Sequence, residues 1–119
     1  MSFPVEIWLR GDNHATSTAI DPPAREPRAW TEGDVTQVLT AMLRAIDRAK
    51  NPDADPERPI SLRGFSWIVN PFEGGVVIAI EMTLGAVVAG PFDVPAETLD
   101  GLIQRALLPA PTAASTVVH

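Results

Sequence analysis

From Gly74 to Phe92 the chain reads GGVVIAIEMTLGAVVAGPF, apolar almost throughout around one carboxylate, Glu81. A membrane span needs about twenty apolar residues and resists a central charge. Glu81 sits mid-run, Gly85 interrupts it, and β-branched residues dominate its first half. The pattern therefore predicts two strands, Gly75–Met82 and Ala86–Gly90, joined by a tight turn at Thr83-Leu84-Gly85. Upstream, Phe3 to Arg10 alternates as a strand, with Val5, Ile7 and Leu9 on one face and Trp8 on the other. A further strand is expected from Ile60 to Val69, with Asn70 to Gly75 turning the chain into the Val76 strand.

Two helices follow from spacing and punctuation. Thr31 with Asp34 three residues on resembles a capping box, and Trp30 before it can staple onto Val35. Val35, Val38, Leu39, Met42, Ile46 and Ala49 recur at helical spacing up to about Lys50, and Asn51-Pro52 stops the helix. Asp93 to Pro95 opens a second helix, with Glu97 and Asp100 near its positive end and Leu99, Leu102, Ile103, Ala106 and Leu107 as its apolar stripe. Pro109 and Pro111 end it. Gly11 to Ala29 reads as a long polar loop, and 52–59 as a linker rich in proline and acid. The expected fold is α+β, in the order β-α-β-β-β-α. A four-stranded, mainly antiparallel sheet carries both helices on one face. Residues 1–111 form one domain, and 112–119 a tail able to add to a sheet edge.

Composition narrows the partners. Nine basic against fifteen acidic residues give a net charge of −6, with a single lysine and the arginines scattered among acids. Nucleic acid and anionic membrane surfaces are poor matches for that balance. With no cysteine there is no disulfide, thiolate nucleophile or zinc-thiolate site. Glu6 lies within the first seven residues and no long apolar core follows, so the start does not read as a signal peptide. The cytoplasm is the default compartment.

Chemistry-bearing residues are few. Glu81 would serve as a general acid or base if desolvated; an ion pair with Arg63 across the hairpin is the structural alternative. Arg10-Gly11-Asp12-Asn13-His14 holds one of two histidines but no nucleophile. Asp53, Asp55 and Glu57 lack the glycine and distal glutamate of a calcium loop, and His119 has no partner at ligand spacing, so no metal or other cofactor is assigned. No catalytic constellation emerges, and the reading leans away from an enzyme. It favours a non-catalytic partner-binding protein: an inhibitor, an immunity-type protein, a chaperone or an assembly factor. The contact surface would be the uncovered sheet face and the 11–29 loop. Trp8, Trp67 and Phe72 are its apolar anchors, and Asp12, Asp21, Glu26 and Glu73 its acidic rim, suited to a basic protein. A second copy of the chain is the alternative occupant. The competing class is a small ligand-binding domain or enzyme with a pocket around Glu81, Arg63 and His14.

Overall fold

The computed structural model describes residues 2–107 except 12, 22, 54–59, 61 and 63. The elements run β1 (Phe3–Leu9), β2 (Thr16–Ile20), α1 (Glu32–Lys50), β3 (Phe65–Phe72), β4 (Gly75–Met82), β5 (Gly85–Phe92) and α2 (Ala96–Ala106), with one 3-10 turn at Pro27–Ala29. The strands form one antiparallel sheet in the order β2-β1-β5-β4-β3. The α+β class and both helices agree with the sequence, but the sheet has five strands rather than four. The additional strand, β2, lies inside the segment expected to be loop. It pairs with β1 from Phe3↔Ile20 to Ile7↔Thr16, yet only Ile20 of its five residues is buried. An edge strand this exposed has no apolar alternation to betray it.

Both helices lie on the same side of the sheet. α1 packs on β1, β5 and β2, α2 packs on β3, and the helices touch each other. Every strand is therefore two-faced. Val5 and Ile7, Val76, Ile78 and Ile80, and Val87 and Ala89 point under the helices and are buried with Val35, Leu39, Met42, Ile46, Leu99 and Ile103. This continuous core joins sheet and helices into one domain. The capping box forms as its sequence predicts: the Thr31 hydroxyl accepts from the Asp34 amide, and the Asp34 carboxylate accepts from the Thr31 amide. Trp30 before it is buried. It meets Phe92 and Phe3 edge-on at ring-centroid distances of 5.2 and 6.5 Å, and its indole N–H donates to the Arg25 carbonyl at 3.0 Å.

The meander is tighter than the sequence implies. β3 takes in Asn70, Pro71 and Phe72, which leaves a two-residue turn at Glu73-Gly74 with φ of 50° and 84°. Two positive φ values suit the strand twist of such a hairpin. Pro71 is tolerated because β3 is an edge strand. The next turn is Thr83-Leu84 alone, so Gly85 opens β5 instead of closing the turn. β3 begins at Phe65 rather than Ile60, and β5 runs on to Phe92. The tail 112–119 and Pro109 lie outside the described residues.

Candidate functional site

Strand alternation sends one residue set under the helices and the other to the bare side of the sheet. The pairings fix which residues share that bare side. Trp8, Ala86, Glu81 and Ser66 form one row across β1, β5, β4 and β3. The next row is Ser17, Glu6, Val88, Ala79 and Ile68, now reaching β2. Val77 and Asn70 pair further along, and Phe72 ends β3 on the same side. Three large apolar side chains are exposed among the described residues: Trp8 (46%), Ile68 (54%) and Phe72 (50%). All three stand on this face. Val88, Ala79, Ala86 and Val77 between them are half-buried by their neighbours.

The face is acidic as well as apolar. Glu6 and Glu81 lie within it, both exposed, and none of its strand residues is lysine or arginine. Glu73 sits beside Phe72 in the β3–β4 turn. Comparison with family models, with curated proteins and with solved structures gives no match. The site therefore rests on its own geometry. Five strands about 4.8 Å apart and up to eight residues long present at most roughly 600 Å². A standard protein interface takes about 800 Å² from each partner, so this face supplies most of one.

The residues singled out from sequence do not all gather here. Trp8 and Phe72 do. Trp67 belongs to the opposite set, half-buried against the core beside α2's side of the sheet, and its neighbour Ile68 holds the exposed position. Ile68 was legible in principle, because Ser66 and Asn70 flank it at spacing two and mark the solvent side. Glu26 is exposed just before the 3-10 turn, while Asp21 follows β2 and lines a groove toward α1. Asp12 lies outside the described residues.

The alternative pocket comes apart in a similar way. Glu81 is exposed on the open sheet and is not enclosed by a pocket. Ser66, not Arg63, is its cross-strand partner, and Arg63 lies outside the described residues. A shallow cleft beside Glu81 is lined by Arg10, Phe65, Ser66, Met82 and Thr83, without His14. Arg10 is committed there to the turn, its Nε donating to the Thr83 carbonyl at 3.0 Å. His14 is exposed in the β1–β2 connection, with Nδ1 3.4 Å from the Asn13 side-chain oxygen. Asp55, Glu57 and His119 lie outside the described residues, and Asp53 is exposed. No polar or charged residue among those described is buried.

Proposed function

We propose that this protein is a non-catalytic binding domain whose open sheet face docks a protein partner, in the manner of an inhibitor, immunity-type protein or assembly factor. One observation carries the reading: the large exposed apolar side chains Trp8, Ile68 and Phe72 share the face that neither helix covers. Exposed aromatic and aliphatic side chains spread across one face of rigid strands are the usual material of a binding surface. Glu6, Glu81 and Glu73 around it favour a partner carrying lysine or arginine, and would accelerate encounter at low salt. The same charges disfavour a second copy, which would bring carboxylates against carboxylates.

The test compares tagged wild type with a Trp8→Asp/Ile68→Asp variant in quantitative pull-downs from the native cells. The variant's fold is first checked by circular dichroism. A protein recovered near stoichiometry by wild type and lost by the folded variant supports the docking face. Equal recovery by both removes it. Light scattering on the purified chain separates a hetero-partner from self-association.

A further inference from the structure

The helix-covered side of the sheet has a second opening, remote from the face just described. Along the flank of α1 that overlooks β2, the residues are Ala41, Ala45 and Ala49. These short side chains leave a groove of about 600 Å³ between helix and strand, with Ile7 at its floor. That volume lies within the range of pockets that hold peptide-sized or drug-sized ligands. Thr16 and Thr18 line the strand wall, because they pair with Ile7 and Val5 and so share the helix side of the sheet. Arg44 and Arg48, four residues apart on one helix face, line the other wall.

The strand wall is also a sheet edge. β2 is the terminal strand, paired with β1 alone among the described residues. In an antiparallel pair, alternate residues turn both N–H and C=O away from the partner strand. β2 therefore offers unpaired backbone donors and acceptors over five residues, about 17 Å of strand. An exposed edge next to a helix-walled groove is the arrangement that accepts an added strand. Backbone hydrogen bonds then supply affinity, and the groove reads alternate side chains.

We infer that the β2–α1 groove binds an extended peptide segment as a sixth strand, one that carries an acidic side chain. Two arginines in a chain of net charge −6 make this wall a local exception, and a carboxylate is the group that Arg geometry matches best. Asp21 at the groove's margin restricts where the peptide's negative charge can lie. Small or β-branched side chains of the peptide would fill the space over the alanines. A second copy offering its own β2 edge would set one arginine row against another, so the groove favours a different chain.

The full-length protein is panned against a phage-displayed library of random octapeptides. Synthetic hits are then titrated into the isotope-labelled protein by NMR. Enriched peptides should be acidic, shift amides confined to β2 and α1, and lose at least ten-fold in affinity with Arg44→Glu/Arg48→Glu. Should that double variant fail to fold, Arg48→Glu alone is used, since Arg48 is exposed and forms no ion pair among the described residues. Trp8→Ala/Ile68→Ala should leave the affinity unchanged, which keeps this site separable from the open face. No enrichment, neutral or basic hits, shifts on the open face, or affinity indifferent to the arginines would each overturn the proposal.

Discussion

Two isoleucines in neighbouring strands allow the two faces to be weighed with chemistry held constant. Ile80 of β4 is 1% exposed beneath the helices, and Ile68 of β3 is 54% exposed on the open side. Truncating either to alanine removes three carbon groups, each worth about 0.8 kcal/mol on full burial. Ile80→Ala therefore loses about 2.4 kcal/mol of transfer energy plus a cavity term, about 3–4 kcal/mol together. Ile68→Ala loses roughly half the transfer energy and encloses no cavity, about 1 kcal/mol. With an unfolding entropy near 2.1 cal/mol/K per residue, 119 residues give about 0.25 kcal/mol/K. The expected falls in Tm are then about 14 °C for Ile80→Ala and about 4 °C for Ile68→Ala. Thermal and urea denaturation of both variants and wild type, each at two protein concentrations ten-fold apart, measure the difference. Equal costs would refute the open-face assignment. A midpoint for wild type that rises with concentration, and no longer does so in Ile68→Ala, would show the face already covered by a second copy.

Two further substitutions probe how the scaffold is held. A Cβ at Gly85, where φ is 148°, would stand 2.0 Å from the Trp8 carbonyl oxygen and 2.9 Å from the Leu9 Cα. Gly85→Ala should thus disrupt the β1–β5 pairing and cost more than about 3 kcal/mol, and a near-wild-type urea midpoint would contradict that geometry. Thr31→Ala removes the acceptor for the Asp34 amide at the start of α1 and should cost about 1 kcal/mol in the same assay, with no change in the open face's NMR shifts.

The elements that could be read from sequence are those whose own residues carry the signal. α1 has a cap and a six-residue apolar face, five of whose members are buried in the core. β4 and β5 are marked by β-branched density, and α2 by its leucine and isoleucine stripe. β2 failed that test because its Thr, Ser and Ala residues are exposed and Ile20 alone is buried, so its place is set mainly by pairing with β1. The Glu81 pairing was missed for a different reason. Only a register pairing Val69 with Gly75 would put Arg63 opposite Glu81. The two-residue turn at Glu73-Gly74 shifts the register by three, and Ser66 takes that place.

That register carries consequences for function as well as for fold. Because side chains alternate with period two, an odd shift exchanges the two faces of a strand, which in β3 would trade Phe65, Trp67 and Val69 for Ser66, Ile68 and Asn70. Phe65, Trp67 and Val69 point inward because the turn pairs them with Met82, Ile80 and Ile78, whose neighbours in β5 are likewise under the helices. Ile68 and Phe72 are consequently left outside with Trp8, which β1 presents through its separate pairing with Ala86. Two independent registers thus bring the exposed aromatic and aliphatic residues to one face. The strands fix the backbone of these residues before any partner arrives, so binding has only their side-chain rotamers left to order. An accidental apolar surface residue on a loop would lack that property, and this is the physical ground for reading the face as a docking surface.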